Sequence, residues 1–397
     1  MLYTPSRTRP LVDPVVFWSV LFLYSIGLVM VYSASITISE AMKLTSYRPH
    51  YFLMRHSAYL CIALVVGLVA FRIPLALWQK AAPWLFAAGG FLLVLVLIPK
   101  VGIEVNGSRR WLPLGVSTMQ PSELMKFLAV LYAADYTVRK AAFMHDVKKG
   151  FLPMFGVMCF IGGLLLREPD FGALVVVSTI AMTILFLGGL NWRIFVTLVI
   201  ALAGAFVVMI LVSPYRYQRV IGFLDPWADQ YGTGYQLAHS LIAFGRGEWF
   251  GVGLGASIEK LFYLPEAHTD FLLAVIGEEL GFAGVAVILF LFCVFVFRAF
   301  AIGREAMARE KYFAALVAQG IAVWLAVQAM INMGVNLGWL PTKGLTLPFL
   351  SYGGTGIIMN ALAVAVLLRI DYENYSPSAK SRTVRSASGT NPSEVAA

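Results

Sequence analysis

The 397-residue chain is 59% hydrophobic and only 13% charged, about half the charged share of an ordinary soluble domain. These proportions exclude a soluble globular enzyme and a disordered chain. The formal net charge of +9 is better explained by an uneven distribution of basic residues across a bilayer than by nucleic-acid binding.

Apolar runs long enough to cross ~30 Å of hydrocarbon fall at 15–36, 52–71, 83–98, 119–137, 152–166, 171–190, 192–212, 270–297, 312–335 and 350–368. They predict an all-α polytopic membrane protein of about ten transmembrane helices, with a long outer loop between helices 7 and 8. The first run is too long for a signal-peptide core, so it is read as a retained helix after a cytoplasmic segment 1–14. The membrane domain spans 15–370, and the Ser-rich residues of 371–397, from about Ser376 onward, read as a disordered cytoplasmic tail. Basic residues such as Arg139, Lys140, Lys148, Lys149, Arg304, Arg309 and Lys311 gather on the side of the N-terminus, which predicts cytoplasmic termini. Cys61, Cys159 and Cys293 all sit in apolar runs and suggest neither disulfide nor metal.

The opposite face holds the polar groups. Asn106-Gly107-Ser108-Arg109-Arg110-Trp111 suits phosphate recognition, because guanidinium groups bind phosphate oxygens in a bidentate fork. An interfacial Arg-Trp belt would look the same. Arg167 and Asp170, in a short turn, read as a local ion pair and helix cap. Glu123 and Lys126 are three apart on one helix face, where each offsets the other's charge.

In the long outer loop, Gly251-Val252-Gly253-Leu254-Gly255-Ala256 fits a dinucleotide-binding pattern, but no βαβ unit surrounds it and tight turns are the better reading. Tyr235 to Phe244 predicts a short interfacial helix. Next come His268, Thr269 and Asp270, directly ahead of the eighth helix. Thr269 or Asp270 is placed to cap that helix, and Asp270 is equally placed to act as a general base at a cavity mouth. Glu278 and Glu279 follow inside the span, one expected to face the cavity and the other a partner group. Finally, the Gly- and Pro-rich stretch 332–356, NMGVNLGWLPTKGLTLPFLSYGGTG, has Lys343 as its single charge. Backbone this irregular must be buried in protein or line a wet cavity.

The motifs GSRRW (107–111), QPSE (120–123), EPDFG (168–172), GYQ (234–236), HTDF (268–271), GEELG (277–281) and LPTKGLTLPFLSYGG (340–354) together resemble the shape, elongation, division and sporulation (SEDS) family. The Thr-Lys-Gly of the last motif is closer to its division branch than to its elongation branch. Departures are small: Arg167-Glu168 stands where relatives often have Gln or Glu, and Thr355-Gly356 where serines are common.

The resemblance implies a multi-pass protein of the inner membrane that polymerises lipid II into peptidoglycan at the outer face, with a class B penicillin-binding protein and other division-complex membrane proteins as partners and no nucleic acid. It implies that Asp270 is required. The substrate sugar is α-linked to pyrophosphate and the product is β-linked, so one inverting displacement is sufficient. That reaction needs a base for the acceptor hydroxyl and cations for the departing pyrophosphate. Asp270 is the candidate catalytic residue. Arg109, Arg110, Trp111, His268, Glu278, Glu279, Lys343 and Ser351 are candidates for substrate binding. The residues name no certain cofactor; a divalent cation is compatible with this chemistry but not indicated by ligand spacing. The competing expectations are a lipid II flippase, which would place its key groups near the midplane of two related halves, and a polymerase of the family's elongation branch.

Overall fold

The computed structural model describes residues 12–42, 47–105, 107–115 and 117–375. Asn106, most of the segment 1–14 and the tail from 376 lie outside the described residues.

The chain forms α1 (Pro14–Ala41), α2 (Tyr51–Arg72), α3 (Leu75–Leu97), β1 (Ile103–Val105), β2 (Ser108–Leu114), β3 (Ser117–Met119), α4 (Pro121–Arg139), α5 (Leu152–Arg167), α6 (Phe171–Leu187) and α7 (Trp192–Leu211). It continues through α8 (Pro214–Leu224), α9 (Tyr235–Gly247), α10 (Leu272–Met307), α11 (Tyr312–Asn336) and α12 (Gly354–Tyr375). Seven of these are long and apolar enough to cross a membrane, α5 counting together with the turn before it. The shorter apolar helices α6 and α7 and the more polar α4 bring the spans to the expected ten.

Several boundaries move. α3 begins well before the expected run and carries Pro83 within it. α10 extends to Met307, so Arg298 and Arg304 lie on a helix rather than in a loop. α12 runs through Tyr375, into residues read as tail. The segment after α3 is not plain loop: β1, β2 and β3 form a small antiparallel meander pairing Glu104 with Arg109 and Leu112 with Met119.

α4, α11 and α12 form the interior, and Trp324 and Lys126 are wholly enclosed. By contrast α2 turns Leu64, Val65 and Leu68 outward, as expected where lipid replaces water as the neighbour.

α10 is broken at Gly281, whose φ of 65° and ψ of −166° leave the helical region. The break is filled by the outer loop. Val252 and Gly253 donate their N–H groups to the carbonyls of Glu278 and Glu279 at 2.9 and 3.1 Å, while Phe282 and Ala283 donate to Glu248 and Trp249 at 2.9 and 3.0 Å. A Cβ at position 281 would meet the Gly251 nitrogen at 2.4 Å, so glycine is required both for the dihedrals and for the approach. Irregular backbone persists inside the span because its peptide groups are satisfied by protein. The glycines flanking the two glutamates thus admit the returning loop and the end of α9. α9 itself buries Leu237, Ala238 and Ala243, and so packs into the bundle instead of only lying at the interface.

Candidate active site

Polar residues from several separate segments converge on one cavity of about 720 Å³. Arg110 and Trp111 of β2, Glu123 of α4, Asp170 ahead of α6, Asp270 ahead of α10 and Lys343 of the irregular segment all line it.

Arg110 is held by the α5–α6 turn, its Nε donating to the Glu168 carbonyl at 2.9 Å and its Nη2 to the Pro169 carbonyl at 2.7 Å. The Glu168 carboxyl is fully buried; burial first, and the charge of Asp170 second, push its pKa up to about 8, so it stands neutral near Arg110 at pH 7. Asp170 caps α6 through Ala173 N–H at 3.0 Å and accepts from Ser122 Oγ at 2.7 Å. The capping expectation is met, but among the described residues no ion pair joins Asp170 to Arg167, which is exposed.

Glu123 and Lys126 pair at 2.7 Å. Lys126 also donates to Gln328 Oε1 at 2.8 Å, which accepts from Trp324 Nε1 at 2.9 Å, and Gln328 Nε2 donates to the Thr346 carbonyl at 3.0 Å. This chain fastens the cavity floor to α11. The second carboxylate oxygen of Glu123 is buried without a protein partner among the described residues.

Asp270 sits half-buried in the cavity wall. Burial foremost, then Glu266, pushes its carboxyl up to about 7, with Arg110 acting in the opposite sense. Neither Asp270 nor Thr269 caps α10, contrary to the sequence expectation. The N-cap residue is Phe271, without a side-chain cap bond, and Thr269 Oγ1 turns back to Glu266 Oε2 at 2.8 Å. The N–H of Ala274 is taken instead by Asn336 Oδ1 of α11 at 3.2 Å. The Asp270 carboxylate is therefore not consumed by the helix end.

Lys343 stands over the Phe171 ring, 4.5 Å from its centroid, within cation–π range.

The other candidates lie elsewhere. Arg109 is drawn to Glu104 at 2.9 Å in a half-exposed pair outside the cavity lining. The His268 ring packs against Phe52 and Tyr352, with centroids 4.8 and 5.7 Å away; burial lowers its pKa. Ser351 Oγ accepts from Leu347 N–H at 2.9 Å and closes a buried turn. Neither glutamate of α10 faces the cavity. Glu278 meets Arg246 at 3.1 Å and accepts from Ile258 N–H at 2.9 Å as well as from Ser257 Oγ. Glu279 pairs with Lys260 at 2.7 Å and accepts from Ser33 Oγ at 2.7 Å. Both anchor the loop that fills the α10 break, since buried carboxylates persist only with such partners. Gln120, Thr342 and Tyr352, which stand inside the quoted motifs, and Glu266, which stands in none, also line the cavity although none was a sequence candidate. Among the described residues no three His, Cys, Asp or Glu side chains are grouped to hold a metal ion.

A family model described as "Cell cycle protein", covering FtsW, RodA and SpoVE, matches residues 14–376. The chain belongs to this family, the SEDS family. Similar members include the probable peptidoglycan glycosyltransferase FtsW of Aromatoleum aromaticum, 58% identical over 94% of this chain and 91% of that protein. The protein of the same description from Burkholderia thailandensis is 55% identical over 93% of this chain and 81% of its own. Among solved structures, a chain from "Structural coordination of polymerization and crosslinking by a peptidoglycan synthase complex" superimposes with a TM-score of 0.73 at 27% identity, covering 92% of this SEDS chain and 99% of that one. The rod shape determining protein RodA of Thermus thermophilus gives 0.64 at 26% identity, covering 92% and 98%.

Proposed function

We infer that this SEDS protein is a peptidoglycan glycosyltransferase of the FtsW type, which polymerises lipid II by an inverting displacement in which Asp270 takes the acceptor proton. The observation that carries the reading is the meeting, in one cavity, of a carboxylate with a pKa near neutrality and two cations on different elements. Asp270 is the base. Arg110 and Lys343 steady the departing pyrophosphate, and Trp111 offers a flat face to a sugar ring. Two of the guanidinium donors of Arg110 are held by backbone carbonyls, so its orientation is set before substrate arrives, which is what stabilisation of developing charge requires.

The protein is a multi-pass protein of the inner membrane. Identities of 55–58% to relatives described as FtsW, against 26% to a RodA, favour the division branch over the elongation branch, and hence work at the division septum. Both termini are cytoplasmic in this reading. The likeness to a chain of a peptidoglycan synthase complex supports a class B penicillin-binding protein as partner, with other division-complex membrane proteins around it.

Purified protein incubated with lipid II, alone and with a class B penicillin-binding protein, tests the reading by separation of the glycan products. Polymer that grows in amount with the partner present is expected. Movement of lipid II between leaflets with no polymer under either condition would make the protein a flippase instead.

A further inference from the structure

Asn332 and Asn336 lie one turn apart on α11 and are buried, at 2% and 0% exposure. Their carboxamides reach the two segments that carry the candidate base and the candidate phosphate-binding cation. Asn332 Nδ2 donates to the Asp270 carbonyl at 2.8 Å and to the Leu345 carbonyl at 2.6 Å. Asn336 Nδ2 donates to the same Asp270 carbonyl at 3.0 Å, and its Oδ1 accepts from Ala274 N–H at 3.2 Å. The Asn336 backbone is itself pinned, its carbonyl accepting from Ser240 Oγ of α9 at 2.7 Å.

We propose that Asn332 and Asn336 are positioning residues for glycan polymerisation, a two-amide clamp that fixes the Asp270 backbone and the Lys343–Leu345 segment to one face of α11. This rests on the reading of Asp270 as base and Lys343 as phosphate ligand. The two segments are joined to each other by little else that is regular: 341–347 has no regular secondary structure, and Asp270 precedes the first turn of α10. The Thr346 carbonyl is held separately by Gln328, and the His268 carbonyl accepts from Tyr352 N–H at 3.0 Å, so loss of the clamp loosens the Asp270 and Leu345 backbone within those outer ties and blurs the spacing at which base and cation meet one substrate. Misplacement by about 1 Å costs on the order of 100-fold in rate. The chemistry demands a carboxamide. The Asp270 and Leu345 carbonyls can only accept, so the clamp must donate, while Asn336 Oδ1 offers the Ala274 N–H a second acceptor beside the Phe271 carbonyl at 3.0 Å.

Asn332→Asp and Asn336→Asp keep side-chain volume and remove the donors. Asn336→Asp also keeps an acceptor for Ala274, so the start of α10 stays capped. In monodisperse protein with its penicillin-binding partner, each variant is expected to lose about 10- to 100-fold in kcat on lipid II, with KM changed by less than about threefold. The acidic limb of the kcat–pH profile is a second readout. Asp270 is faced by Glu266 on its own loop, Arg110 on β2, Asp170 ahead of α6 and Glu123 on α4, and Lys343 after α11 lines the same cavity. A released Asp270 gains water, which lowers a carboxyl pKa raised by burial, so the limb should move to lower pH; the introduced carboxylate acts in the opposite sense, and Asn332→Ala, which adds no charge, isolates the shift. A kcat loss no larger than the loss of folded protein, with the Asn332→Ala limb where the parent has it, would overturn the clamp. Asp270→Asn measured alongside separates the two ideas. If it polymerises normally, the base assignment has failed; if it is inactive while the asparagine variants turn over as the parent does, only the clamp has failed.

Discussion

The Oδ2 of Asp270 lies against the backbone of Gly344, so close that a Cβ at that position would stand 3.0 Å from it. The residue after Lys343 is thus a wall for the carboxylate. Gly344 itself is exposed and its φ is not in the left-handed region, so Gly344→Ala leaves the backbone unstrained and presses on Asp270 alone. We expect roughly a tenfold fall in polymerisation rate, in line with the sensitivity of positioned groups, with an unchanged melting temperature in detergent. Full turnover would show that Asp270 tolerates displacement.

Asp270→Asn removes the proposed base and no helix cap, because Asn336 and not the Asp270 side chain receives the Ala274 N–H. Rate should fall about 10²- to 10⁴-fold, while thermal stability and co-purification with the penicillin-binding partner stay at parent values. A gel of lipid II products beside a melting curve checks both.

Polymerisation by the parent protein should rise with pH through about 7. Burial of Asp270 raises its pKa to about 7, the base works only when deprotonated, and acidification therefore removes it. Initial rates between pH 5.5 and 8.5 measure the limb; a limb near pH 4, where ordinary carboxylates titrate, would mean that the working base is a solvated group.

Lys343 is a point charge on the cavity wall, placed over Phe171. Lys343→Ala should impair polymerisation strongly, whereas Lys343→Arg keeps the charge but not the compact ammonium and should retain part of the rate. Stably inserted Lys343→Ala protein with parent turnover would remove this residue from the site.

Breaking the buried Lys260–Glu279 pair should be felt in stability before chemistry. Lys260→Met leaves Glu279 charged and enclosed, a situation that costs about 3–5 kcal/mol. Glu279→Gln in addition should restore much of the loss. Melting temperatures of the two variants decide this, and a Lys260→Met protein as stable as its parent would deny the loop its anchor.

Hydropathy determined the polytopic helical class, most of the spans and the irregular segment after α11, because the cost of bare peptide groups in hydrocarbon acts on every residue of a run and needs no knowledge of neighbours. The i,i+3 pairing of Glu123 and Lys126 was legible for the same reason, being local to one helix. What sequence could not decide is which groups far apart in the chain meet. Glu278 and Glu279 carry the same charge in the same span as a cavity-lining pair would, and only the return of residues 246–260 into the α10 break shows that both are spent on anchoring. Asp270 reads as a helix cap until Asn336, 66 positions away from it, is seen to supply that acceptor. The i,i+4 spacing of Asn332 and Asn336 was present in the sequence as a hint, but a carboxamide buried in a bundle names no partner. The partner is fixed by packing, where the alternatives differ by single hydrogen bonds between segments brought together by the whole bundle, and that choice is made only by the tertiary structure.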